Sequence, residues 1–282
     1  MHEFEESEMR DLIARFESMV DKGRAGFFDV DEYERITDYY FDTGKINRAL
    51  YAADLAEAQY PFSAVFPLKK AQYLTAYDKV EEAIEALERA EQVDPGNVEL
   101  LVARGGIFSK KGQHQKAIQM YKSALPQHEY PEELLMMIAA EYQAMGDHLR
   151  ALKSYKELLR LDPLDDIALY SLANCYDLLD KLHDGIAFFK HFIEKQPYSE
   201  QAWFHLATLY SRTGSNDKGL WAIDYALLID EGFTAAYYEK ARILEQQKRF
   251  DEAIEAYRTS INDDEPAGYS YFKMANCYRQ MG

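Results

Sequence analysis

An all-α fold of antiparallel helix hairpins stacked along the chain is predicted by three features of this sequence. Small residues recur at Ala49, Ala83, Ala117, Ala151, Gly185, Gly219 and Ala253, each 34 positions after the last. A second small comb, Thr37, Ala71, Gly105, Ala139, Ala173, Ala207, Ala241 and Ala275, runs 12 positions ahead of the first. Bulky residues keep the same beat at Tyr40, Leu74, Phe108, Tyr142, Tyr176, Tyr210, Leu244 and Tyr278, three places beyond the second comb and so on the same helical face. A constant period of this length marks a repeat architecture rather than a closed bundle, which needs no fixed beat.

The elements follow in order. Residues 4–22 carry Phe4, Met9, Leu12, Ile13, Phe16, Met19 and Val20, mostly three or four apart, which predicts a one-faced helix. Its expected task is to cover the apolar side of the first unit, with residues 1–29 as capping helix and connection. Internal units bury both faces against neighbours and leave the ends to be covered. The string "DVDEYE" at 29–34 lacks the central glycine of a calcium loop and reads as a helix cap. Full units are expected to start near 30, 64, 98, 132, 166, 200 and 234, and the first helix of an eighth covers 268–282. Within a unit the turn falls at Gly44, Gly112, Gly146, Gly214 and Gly282, or at Asp78, Asp180 and Lys248, where a helix end needs positive φ.

The second helices carry their own packing residues, Leu87, Tyr121, Tyr155, Phe189, Ile223 and Tyr257, with Ala53 as the small exception. Pro61, Pro95, Pro163 and Pro197 close them; Glu129 and Glu231 take that place in two units, and Pro266 comes one place late. Pro67 is expected to delay or distort the first helix of its unit. The chain stops at Gly282, where an eighth hairpin would turn, and Tyr269, Tyr271, Phe272, Met274 and Tyr278 are more apolar than a solvated cap. The expectation is therefore a piece of a longer array, with the exposed half-repeat as a candidate surface for homo-oligomerisation.

Composition narrows the function. A formal charge of −17, from 49 acidic and 32 basic side chains, repels nucleic acid and anionic lipid, so neither a nucleic-acid nor a membrane partner is expected. No stretch reaches the roughly 18 apolar residues of a membrane span, and the acidic opening does not read as a secretory signal. Two cysteines, Cys175 and Cys277, sit far apart at equivalent positions, which suits a reducing, cytoplasmic setting and core packing. No nucleotide-binding, zinc-protease or serine-hydrolase motif is present. His114, His148 and His183 occupy turns without the further ligands of a zinc site. No enzyme activity, cofactor or metal is expected.

A further class of positions holds Tyr33, Leu101, Leu135, Leu169, Trp203, Tyr237 and Tyr271. With the combs above, it makes residues 30–282 resemble the tetratricopeptide repeat family, from whose pattern Pro67 departs. The resemblance implies a right-handed superhelix with the first helices lining a concave surface. It also implies a noncatalytic scaffold that binds a peptide or partner helix there. On that surface one stripe reads Glu34, Leu68, Val102, Met136, Tyr170, Phe204, Tyr238 and Phe272, and is aromatic from Tyr170 onward. Beside it stand Asn174, Thr208, Arg242 and Asn276, then Asp177 and Arg279. These eleven positions from Met136 to Arg279 form the candidate peptide site, with Tyr170, Phe204 and Tyr238 as anchors and Asn174, Arg242 and Arg279 orienting the ligand. The clamp that some family members use for an acidic chaperone tail is matched only at Asn174 and Arg242. Two alternatives remain: a positioning or regulatory segment of a larger enzyme or transcription-related protein, and a self-association module.

Overall fold

A computed structural model describes residues 2–23, 26–261 and 268–282, the first five of them (2–6) as backbone only. Among the described residues there are sixteen α-helices and no strand. The chain divides into two compact units, Met1–Leu134 and Leu135–Gly282. The expectation for Pro266 and the side chain of Phe4 lie outside the described residues.

The first unit begins with α1 (His2–Asp21) and continues through the hairpins α2 (Val30–Asp42) with α3 (Ile46–Gln59), α4 (Val65–Ala76) with α5 (Val80–Val93), and α6 (Val98–Lys110) with α7 (His114–Ala124). Leu12, Ile13 and Phe16 of α1 are buried against the first hairpin. Phe16 sits in an aromatic nest, 5.8 Å from Phe28, 6.4 Å from Tyr33 and 6.0 Å from Tyr40 between ring centroids. The string at 29–34 is a full capping box: Asp29 accepts from the Glu32 backbone N–H, and Glu32 reaches back to the N–H of Asp29. Pro67 falls in the first turn of α4, where its missing N–H leaves no bond unmade. That helix starts at Val65 without a break.

Helix α8 (Pro131–Ala144) crosses the division. The second unit then contains α9 (His148–Leu161), α10 (Asp166–Leu178), α11 (Leu182–Lys195), α12 (Glu200–Arg212), α13 (Asn216–Ile229), α14 (Thr234–Gln246), α15 (Phe250–Thr259) and α16 (Gly268–Met281). In each unit, first helices of successive hairpins also touch: α4 with α6, α10 with α12, and α12 with α14.

The same turn recurs throughout. Gly44, Asp78, Gly112, Gly146, Asp180, Gly214 and Lys248 all have positive φ, between 53° and 74°. The next residue's N–H bonds back to the carbonyl of the bulky comb residue, as in Lys45 to Tyr40 (2.7 Å), Lys181 to Tyr176 (2.8 Å) and Arg249 to Leu244 (2.9 Å). This Schellman closure satisfies carbonyls that the helix end would leave bare. The following helix starts at once.

The small comb shows why it is small. A Cβ built on Gly105 would lie 2.3 Å from a ring carbon of Tyr121, and one on Gly219 would lie 3.3 Å from the Ala207 carbonyl oxygen. Thr37, Ala71, Ala139, Ala207 and Ala241 are wholly buried. Two positions depart from this pattern. Ala173 is only half-buried because it opens onto a cleft. On α16, Met274 and Cys277 are buried against α15, whereas Tyr271, Ala275 and Tyr278 are exposed, none of the described helices covering them.

Candidate functional site

In the second unit the first helices α10 and α12, with one residue of α14, enclose a cleft of about 240 Å³. Tyr170, Asn174 and Asp177 come from α10, one helical turn apart, so they stand on one face. Phe204 and Thr208 are contributed by α12 at the same spacing. Five of the eleven sequence-predicted positions therefore line one cavity.

Their chemistry differs from residue to residue. Tyr170 is 63% exposed. Phe204 is half-buried and packs on Phe233 at 5.2 Å. The Thr208 hydroxyl is turned back, donating to the Phe204 carbonyl at 3.0 Å. Asp177 is bound by the Arg212 guanidinium at 2.7 Å. Asn174 makes no side-chain hydrogen bond within the described residues, so its carbonyl and amide remain available at the cleft wall.

Four lining residues were not expected from the sequence: His205, Leu209, Arg212 and Glu239. His205 is buried, and burial pushes its imidazole down to about 4. It lies among the rings of Phe204 (5.2 Å), Phe189 (5.7 Å) and Tyr170 (6.1 Å), and its Nε2 has no hydrogen-bond partner. Glu239 is buried beside it and is clasped by Arg242, Nε to Oε2 at 2.8 Å and Nη2 to Oε1 at 2.6 Å. A signal did exist for two of these. His205 and Glu239 share one repeat position with the buried Ser171, each directly after the aromatic stripe, and a polar residue repeated on a buried line is unusual.

The other predicted residues lie outside this cleft. The Arg242 guanidinium is occupied by Glu239 and also donates to the Ser211 hydroxyl at 3.3 Å. Tyr238 is half-buried between Tyr257 (5.4 Å) and Tyr269 (5.8 Å), and burial raises its phenol well above the ordinary value. Its ring is part of the α14–α15–α16 packing. Phe272, 59% exposed, stacks on Tyr269 at 6.3 Å, with Asn276 half-buried and Arg279 exposed on the same helix. Met136 is half-buried on α8.

The cysteine thiols are free and buried, and burial pushes both up. Among the described residues, no three His, Cys, Asp or Glu side chains gather as a metal ion would need, and no helix is long and apolar enough to cross a membrane.

Tetratricopeptide repeat family models match residues 68–132, 136–200 and 234–262, together more than half of the chain. The chain belongs to the tetratricopeptide repeat family. Solved TPR structures agree in fold. The C-terminal part of a TPR repeat-containing protein from Cytophaga hutchinsonii superposes with a TM-score of 0.61 at 15% identity, over 85% of this chain and 98% of that one. A tetratricopeptide repeat protein from Parabacteroides merdae gives 0.51 at 16% identity, over 87% of this chain and 98% of that one. Comparison with curated proteins yields no match. TPR arrays are noncatalytic protein-interaction modules, so the cleft between first helices is to be weighed as a surface for a protein partner.

Proposed function

We propose that this TPR protein is a noncatalytic scaffold that holds an extended segment or helix of a partner protein on the first-helix face of its second unit. Tyr170 and Phe204 supply the apolar anchors, and Asn174 pairs with the ligand backbone. The observation that carries the reading is an unpaired Asn174 amide that lines one cleft together with the aromatic side chains of Tyr170 and Phe204. Both carboxylates of the cleft already hold guanidinium partners, Asp177 with Arg212 and Glu239 with Arg242, so the local charge is balanced. Selection then rests on shape and amide hydrogen bonding rather than on net charge. Rigid helices lose little conformational freedom on binding, which favours a shallow site of this kind.

Tyr238, Arg242, Phe272, Asn276 and Arg279 continue the track over α14 and α16, and Met136 extends it onto α8. In this reading the repeats begin near 30, 64, 98, 132, 166, 200 and 234, α1 is the N-terminal cap, and two unpaired buried thiols fit a cytoplasmic setting.

The test is capture of binding proteins on the wild-type chain and on a Tyr170→Ala/Asn174→Ala variant. Truncating an interface anchor typically costs about 1–3 kcal/mol, so partner recovery should fall about tenfold or more with helicity unchanged. Equal recovery on both proteins would remove the cleft from the binding surface.

A second reading has its own support in the exposed Tyr269, Tyr271, Phe272 and Tyr278 of α16, which offer an apolar face for self-association. Sedimentation equilibrium over a dilution series separates the two, because a constant monomer mass eliminates it.

A further inference from the structure

A second groove, of about 430 Å³, lies between the second helices α9 and α11 of the second unit. Its walls hold Lys156, Arg160, His191 and Lys195 together with Phe188 and Phe192, and no carboxylate lines it. In a chain with a formal charge of −17 this cluster runs against the average. Neither Lys156, Arg160 nor Lys195 is ion-paired among the described residues. The Lys156 ammonium instead lies 5.2 Å from the ring centroids of both Tyr176 and Phe188. The nearby carboxylates are engaged or outside the groove. Glu194 contacts His191 Nδ1 at 3.1 Å, Asp162 accepts from the Leu164 backbone, and Asp184 acts on Lys156 from the first turn of α11.

Arg160 and Lys195 stand in the last turns of their helices, where the negative end of the macrodipole favours a cation. That effect accounts neither for Lys156 nor for the aromatic walls. The repeat itself does not demand the cluster either. One period later, the positions of Lys156, Arg160 and Lys195 hold Lys190, Glu194 and Ile229, and those of Phe188 and Phe192 hold Ala222 and Ala226.

We propose that the α9–α11 groove is a docking site for an acidic segment of a partner protein that carries large apolar side chains. Carboxylates of that segment pair with Lys156, Arg160 and Lys195, the guanidinium offering a two-pronged contact, while its apolar side chains cover the half-buried Phe188. Charge complementarity sets the occupant. The average surface repels an acidic chain, so such a segment is drawn to this groove and held in one register. The site is separate from the first-helix cleft and does not depend on it.

The probe is a fluorescently labelled peptide alternating glutamate with leucine and phenylalanine, titrated against the full chain by anisotropy. The same peptide with lysine for glutamate serves as control. The glutamate peptide should bind and the lysine peptide should not, with affinity weakening as salt is raised. Lys156→Glu/Arg160→Glu/Lys195→Glu should lower the affinity by about tenfold or more, as expected when desolvated charge pairs are lost. Arg160→Glu alone, at an exposed position, should lower it in the same direction without risk to the fold. Tyr170→Ala/Asn174→Ala should bind as wild type does. No binding of the glutamate peptide, equal binding of both peptides, unchanged binding by the charge variants, or loss of binding in the cleft variant would each overturn the proposal. So would a dimer mass that Arg160→Glu abolishes, which would make a second copy the occupant.

Discussion

Two adjacent glycines of α6 carry opposite meanings. At Gly105 an added methyl would meet the Tyr121 ring at 2.3 Å, while at Gly106 the nearest neighbour is the Thr75 methyl at 3.8 Å, an ordinary contact. Gly105→Ala is expected to destabilise by about 1–3 kcal/mol through overpacking. Gly106→Ala should stabilise by about 0.5–1 kcal/mol, because a helix-interior glycine is the less favourable residue. Urea unfolding of the two variants checks both signs. His205 supplies a second residue-scale outcome. Its folded value of about 4 lies below the roughly 6.5 of an unfolded histidine, so the unfolded chain binds the proton more readily. Stability contributed by the neutral ring is therefore present above about pH 6.5 and is lost as pH falls from there toward 4. Between about pH 7 and about pH 5 the wild type should lose about 2 kcal/mol more than His205→Leu, with other titrations cancelling in the difference. Equal losses would show that this imidazole is not held neutral by burial.

At the level of helices, the turn that ends each first helix is the most regular feature, and its chemistry explains which residues are tolerated. Four glycines accept positive φ at no steric cost, whereas Asp78, Asp180 and Lys248 adopt it against their Cβ. Lys248→Gly is thus expected to raise the unfolding free energy by about 0.5–1 kcal/mol, read as a higher melting temperature, since the left-handed conformation is disfavoured for side chains by about 1–2 kcal/mol. A fall would mean that the Lys248 side chain makes a contact worth more than the strain. The combs were legible for the same reason. Close approach of Gly105 to Tyr121 or of Gly219 to Ala207 favours small residues, so packing writes itself into the sequence at fixed spacing. Helical phase says less about exposure. Tyr238 and Phe204 occupy one repeat position, yet Tyr238 is wedged between Tyr257 and Tyr269 while Phe204 lines the cleft.

For the whole molecule, contacts join neighbouring helices and next-neighbour first helices, so each unit behaves as a linear stack rather than a single closed core. Both tryptophans, Trp203 and Trp221, belong to the second unit. They form one cluster, with Trp203 stacked on Tyr225 at 4.7 Å and edge-on to Trp221 at 5.2 Å. Tryptophan fluorescence should accordingly report unfolding of the second unit, and circular dichroism of both. Gly105→Ala, in the first unit, is expected to shift the midpoint seen by circular dichroism while leaving the fluorescence midpoint nearly unchanged. Coincident shifts would indicate that the entire chain unfolds as one cooperative body.

The all-α class, the family and the turn residues could be read from the sequence alone, because each depends on local geometry repeated at one spacing: a small residue where surfaces meet, a positive φ where a helix closes. Tyr170, Asn174, Asp177, Phe204 and Thr208 were also within reach, since residues three or four apart share a helical face. What only the tertiary structure decided was which polar groups are already taken. Arg242 is committed to Glu239, Arg212 to Asp177, and His205 is sealed among three rings, while Asn174 is left without a partner. Partnership between side chains on different helices depends on how those helices pack and on which rotamers meet, and a linear pattern carries neither.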